Sequence, residues 1–153
     1  MGATESHIAV LDQLHRLAEA MDAADHATLA QLFRHADLVD GISGAVIASG
    51  GADAVTHFAR IVREHPDGTW RTAHVTTNAI VDVDEGGEAA SCRSVYTVFQ
   101  QTSTLPLQPI IVGRYHDRFT LLDGEWVLTE RRYFADLIGD LRDHLRFELS
   151  PER

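Results

Sequence analysis

Asp22, His74 and Arg131 are the side chains of this sequence whose types could combine into chemistry. An aspartate bonded to one nitrogen of an imidazole fixes the tautomer and leaves the other nitrogen to take or give a proton. An arginine turned inward could hold an anionic or leaving group, or brace the aspartate. Each residue also has a plainer reading. Asp22 could cap the following helix across "DAADH" or sit in water at a frayed helix end. His74 is one of nine histidines and could be a satisfied ring near a strand end. Arg131 could form a surface ion pair with one of the many acids. The three lie far apart in the chain, so only the fold can bring them together.

The elements that must do so are legible. Residues 5–22 place Ile8, Leu11, Leu14, Leu17, Ala18 and Met21 at helical spacing. On that helix Asp22 falls about 20° from Leu11 and about 40° from Ala18, within the apolar stripe. An unpaired carboxylate there would cost several kcal/mol, so it needs a partner. A second helix is expected over 26–34, and a third over 51–65 with Val55, Phe58, Ala59 and Val62 on one face. Weak strands are expected near 37–41 and 45–49.

From Trp70 onward the pattern becomes β. In "TWRTAHVTTNAIVDVD" (69–84), Ala79, Val81 and Val83 alternate with Asp82 and Asp84, while His74 and Asn78 open the run. Three further runs follow: "EAASCRSVYTVFQQ", "IIVGRYHDRFTLL" and "EWVLTERRYF". Asp123–Gly124 between the last two is a strong hairpin signal. In the last run Arg131 shares a face with Val127, Thr129 and Tyr133, opposite Trp126, Leu128, Glu130 and Arg132. Helices first and a meander after give an α+β class, with three helices on a curved antiparallel sheet. A bent sheet that helices cannot fill leaves a cavity, a natural ligand site. One domain is expected over residues 1–153, its core at about 8–134 and 136–153 forming a C-terminal helix or tail.

Composition removes several function classes. The formal net charge of −10 argues against nucleic acid and anionic membrane surfaces. All 13 basic residues are arginine, which removes Schiff-base chemistry and the lysine of a phosphate-binding loop. Cys92 is the only cysteine, so neither an internal disulfide nor a cysteine-based metal site is expected. No membrane-length apolar run or secretory signal is visible, and a cytoplasmic location is the default. The histidines lack HExxH-like spacing, so no metal is expected. Neither a G-x-S-x-G elbow nor a glycine-rich nucleotide loop occurs. His15 lies about 20° from Asp22 and could border a pocket. In "GRYHDRF", Tyr115 is expected inward and His116 towards solvent; "HDR" and "RDH" read as solvated surface text.

Three motifs carry a family resemblance. "LAEAMDAADHATLAQLF" (17–33) resembles the opening of SnoaL-like proteins of the nuclear transport factor 2-like superfamily. "HVTTN" (74–78) resembles their strand-opening "H…N", and "GRYHDRFTLLDGEWVLTERR" (113–132) their final hairpin. The match spans roughly residues 8–134. The resemblance implies a cone-shaped α+β barrel with an apolar pocket, often dimeric through the outer sheet face, so a homodimer or higher homo-oligomer is expected. The subgroup with this Asp and His includes scytalone dehydratase, bile acid 7α-dehydratase and hexachlorocyclohexane dehydrochlorinase, which use no cofactor. By motif position His74 is the base, Asp22 orients it, and Arg131 assists. Leu17 stands where many relatives carry a tyrosine. A second pocket histidine has no visible counterpart; Thr97 or Phe99 is expected in that region. Trp70, Tyr96, Ile111, Tyr115 and Tyr133 are expected in the pocket wall. The expected function is a cofactor-independent lyase, isomerase or cyclase acting on a small, mostly apolar molecule. The alternative is a non-catalytic binding module or structural subunit of the same fold.

Overall fold

The structure is a computed structural model that describes residues 1–149. Three helices come first: α1 (Ala3–Asp22), α2 (His26–Leu32) and α3 (Gly51–Ile61). Between α2 and α3 lie β1 (Asp37–Asp40) and β2 (Val46–Ser49). Four long strands follow: β3 (Thr72–Val83), β4 (Ala89–Gln100), β5 (Gln108–Leu122) and β6 (Glu125–Ile138). They form one curled, open six-stranded sheet in the order β2-β1-β6-β5-β4-β3, with the helices packed on it.

Local chemistry accounts for the boundaries. The Glu5 carboxylate accepts the Gly2 N–H at 2.8 Å at the start of α1. Asp25 caps α2 by accepting the Thr28 N–H at 3.0 Å, which places the cap on Asp25 rather than Asp22. Asp123 and Gly124 both take positive φ (51° and 83°), the geometry of a two-residue hairpin turn. The sheet is not wholly antiparallel, because β1 runs parallel to β6. A short strand entering from the helical layer can take either direction along a free edge, and alternation within β1 carries no signal for which.

Leu14, Leu17, Leu29, Phe33, Phe119 and Leu128 are almost fully buried and form the dense part of the core. Each such side chain contributes roughly 1.5–3 kcal/mol through burial. Leu17 is therefore core filling.

Two expected elements differ. The third helix ends at Ile61, and Val62 turns extended to bridge Leu145. The buried face of α3 uses Ala54 and His57, and Ala59 is exposed. The C-terminal segment is neither a helix nor a loose tail within the described residues. Residues 135–138 continue β6, and a turn at 142–144 then leads back onto the end of α3. The Arg146 N–H donates to the Ile61 carbonyl (2.9 Å) and the Arg63 N–H to that of His144 (2.8 Å). The final expected residues, 150–153, lie outside the described ones.

Candidate active site

β3 contains the irregularity that positions the histidine. Thr72, His74 and Thr76 face inward, as do Ala79, Val81 and Val83, although the two sets differ in parity. A regular strand would send them to opposite faces. The ladder with β4 shifts between Thr77 and Ile80, so Asn78 and Ala79 together oppose the single residue Ser94. Asn78 takes φ 53°, a left-handed conformation that asparagine tolerates better than most residues. The bulge corrects the phase. One strand thus holds an imidazole and an apolar row on the same side.

Asp22, the last residue of α1, reaches this strand start. Its Oδ1 lies 2.6 Å from His74 Nδ1. Its carboxylate also accepts the His74 main-chain N–H at 2.9 Å and, through Oδ1, the Thr72 hydroxyl at 3.0 Å. The His74 side chain is 7% exposed and that of Asp22 28%. With Nδ1 engaged, Nε2 is the ring nitrogen that remains at the cavity wall.

That cavity has a volume of about 290 Å³ and lies between the helices, the concave sheet face and the C-terminal segment. Its wall includes Trp70, Tyr96, Ile111, Tyr115 and Tyr133, together with His74 and Arg131. Asp22 stands behind His74 and does not line it. Gly113 makes room for one side of the wall. A Cβ there would meet the Phe134 carbonyl at 1.9 Å and the Tyr96 ring at 2.5 Å. The Tyr96 hydroxyl instead donates to that carbonyl at 2.8 Å, and its ring stacks on Tyr115 with centroids 4.3 Å apart.

Arg131 is buried and does not brace Asp22. Its Nε and Nη2 donate to Asp117 at 2.9 and 2.7 Å, a bidentate pair. Its guanidinium carbon lies 3.8 Å from the Tyr115 ring centroid. Burial pushes the Asp117 carboxyl up from its ordinary range, against the pull of Arg131. Burial also pushes the Tyr115 phenol up to about 12, so it stays protonated near neutral pH.

The strand faces around Arg131 need correction. β5 and β6 shift register at Arg118/Phe119, which leaves Thr129 without a ladder partner. Leu128 and Trp126 are therefore inward on one side of the shift, and Arg131, Tyr133 and Ala135 on the other. Val127 and Thr129 do not share the face of Arg131 as a regular strand requires.

Other expectations also change. His15 is exposed and does not line the cavity that holds His74. Thr97 and Phe99 lie on the opposite face of β4 from Tyr96 and Val98, and Val98 forms the wall there. "HDR" and "RDH" are solvated only in part: Arg118 and Arg142 are exposed, but Asp117 is buried, and His144 is buried and lines the cavity. His57 lines it as well. The inward position of Asp117 was readable, since it follows Tyr115 by two on the same strand. No periodicity marked His144, because its segment is irregular.

Among the described residues, no three His, Cys, Asp or Glu side chains converge as a metal site. No helix among them is long and apolar enough to cross a membrane.

The model of the SnoaL-like domain matches residues 3–132. The chain belongs to the SnoaL-like family. No curated protein matches it. Solved structures similar to this SnoaL-like chain include a Mycobacterium tuberculosis protein of unknown function, Rv3472, at 25% identity and TM-score 0.69, covering 88% of this chain and 79% of that one. A scytalone dehydratase-like protein from Novosphingobium aromaticivorans is 19% identical with TM-score 0.67, covering 97% and 94%. LinA is 16% identical with TM-score 0.69, covering 97% and 96%. The last two identities are low enough that the likeness establishes the shared fold alone.

Proposed function

We propose that this protein is a cofactor-independent lyase, isomerase or cyclase acting on a small, mostly apolar molecule. The observation that supports it best is the 2.6 Å contact between Asp22 and His74 at the wall of a mostly apolar cavity. The carboxylate holds Nδ1, and Nε2 takes a proton from a carbon next to an activating group. Asp22 then balances the imidazolium that forms. Arg131 supplies the cationic end of its buried pair with Asp117 at the wall, where negative charge develops on the substrate. Its position is set by Asp117 and Tyr115 rather than by the substrate, so little reorganisation accompanies the reaction. A positioned base of this kind contributes about 10²- to 10⁴-fold. The proton then moves on to a leaving group, to another carbon, or back after ring closure.

Cavity size limits the substrate. A volume of about 290 Å³ has room for a ligand of roughly ten to fifteen non-hydrogen atoms. Small cyclic ketones, hydroxy-ketones and enones fit this description. The proposal includes self-association through the outer sheet face, where Val75 and Ile80 are exposed.

The test is solvent deuterium incorporation. Candidate ketones are incubated with the protein in D₂O and their mass is followed, together with loss or gain of water. Exchange or turnover that disappears in His74→Ala supports the base. Full activity in that variant removes the catalytic role. Ligand binding with no exchange and no turnover assigns the fold to binding alone.

A further inference from the structure

His144 lines the same cavity as His74 and Arg131, on the irregular segment that closes it. It is 7% exposed. Its Nδ1 is buried and has no hydrogen-bond partner among the described residues. Nε2 is therefore the nitrogen left at the cavity wall. The two tautomers have unequal costs. A proton on Nδ1 would bury an N–H with nothing to receive it, which is rare in proteins, whereas a bare buried lone pair is better tolerated. The proton belongs on Nε2, directed at the cavity.

The surroundings keep the ring neutral. Burial first, then the neighbouring rings of His74 and His65, push its pKa down to about 3. No carboxylate among the described residues offsets this. The adjacent Asp143 carboxylate is taken by the hydroxyls of Thr102 and Thr104, at 2.6 and 2.8 Å. Arg63 and Arg146 donate to the carbonyls of Leu145 and Val62, and the His65 ring nitrogen donates to the Asp143 carbonyl. His57, on the α3 side of the cavity, contacts Arg60.

We propose that His144 is a substrate-contacting specificity residue whose neutral Nε2–H donates a hydrogen bond to a carbonyl oxygen of the ligand. The ligand class is then a small apolar ketone or aldehyde rather than a hydrocarbon or a halide. This rests on the reading of His74 as the base and deepens it. His144 and His74 line the same cavity, so a single ligand can present its oxygen to one imidazole and the neighbouring C–H to the other. The oxygen gains negative charge as the proton leaves, and a donor that cannot ionise stabilises it without giving up its own proton.

The experiment uses α-tetralone and its hydrocarbon counterpart tetralin as probes, with affinities measured by NMR titration of the full-length protein. Wild type is expected to hold the ketone roughly three- to tenfold tighter than tetralin, the worth of one neutral hydrogen bond. His144→Leu, which keeps the buried volume, is expected to remove that preference, and His144→Gln, which retains an N–H donor, to restore part of it. Nitrogen-15 NMR of the native imidazole should show the neutral Nε2–H form throughout roughly pH 5–8. Three results overturn the proposal: no ketone preference or no probe binding in wild type, a preference that survives His144→Leu, or an Nδ1–H or doubly protonated ring near neutral pH. Deuterium exchange at the α-methylene of the same ketone reports separately on His74. Ketone preference without exchange sinks the base and leaves His144 as the donor; exchange without preference does the reverse.

Discussion

The Asp22 carboxylate holds His74 at two points, ring Nδ1 at 2.6 Å and the main-chain N–H at 2.9 Å. A ring held through its nitrogen alone could still swing with its backbone. Here the same carboxylate fixes both, so the direction of Nε2 is set by the end of α1 and not by the local strand. Helix and strand are thereby registered to one another at the point where chemistry is proposed.

Replacing Asp22 with Asn keeps the size and part of the hydrogen bonding but removes the charge that balances an imidazolium. Exchange activity should fall by about 10²-fold or more, with ligand affinity nearly unchanged. Asp22→Ala should in addition cost about 1–3 kcal/mol of stability, because the His74 N–H loses its acceptor. Urea denaturation of both variants separates the two effects.

Asn78 offers a test of the bulge. Asn78→Gly should be nearly neutral, since glycine also accepts its φ of 53°. Asn78→Val should lose about 1–2 kcal/mol, because a β-branched side chain resists that conformation. Thermal melts of the pair would show it, and equal melting temperatures would mean that the bulge is not held by residue type.

The Arg131–Asp117 pair is buried on both sides. Arg131→Met leaves a buried carboxylate without its cation and should cost about 3–5 kcal/mol. Adding Asp117→Leu should recover most of that loss in denaturant melts while leaving exchange activity low. Recovery of stability without activity assigns Arg131 to the reaction; recovery of both would make the pair purely structural.

Acid should destabilise the protein through His144. Its folded-state pKa is depressed to about 3, so below the unfolded value the unfolded chain binds a proton that the folded chain does not. Stability is therefore present above about pH 6.5 and is lost as pH falls towards the folded value. By roughly pH 5 the loss from this ring alone is about 2 kcal/mol. His57 and His116 are pushed down by burial and act in the same direction, so the comparison is with His144→Leu. That variant should show a shallower loss between roughly pH 7 and pH 5 in denaturant titrations.

The long elements were readable because each carries one period over many residues: the stripe from Val10 to Met21, and the alternation from Ala90 to Gln100. Asp22 and His74 were legible as candidates because a carboxylate in an apolar stripe and an imidazole at a strand start both need a partner. What escaped was set by phase and by irregular chain. The register shifts at Asn78 and Thr129 reverse the faces that simple alternation assigns. His144 lies in a turn, where spacing says nothing about direction, and its burial depends on main-chain bonds to Ile61 and Arg63 far away in sequence. The parallel edge pairing of β1 with β6 was hidden for the same reason: four residues hold too little pattern to fix an orientation.

The extra residue at Asn78 makes β3 behave like a text with a frameshift. Upstream of it, even-numbered positions face inward; downstream, odd-numbered ones do. Substitutions on either side leave the other side's reading frame alone. Insertion or loss of one residue between 75 and 78 cannot be absorbed this way, because it forces one half of the strand to turn inside out, exposing either the imidazole or the apolar row to water.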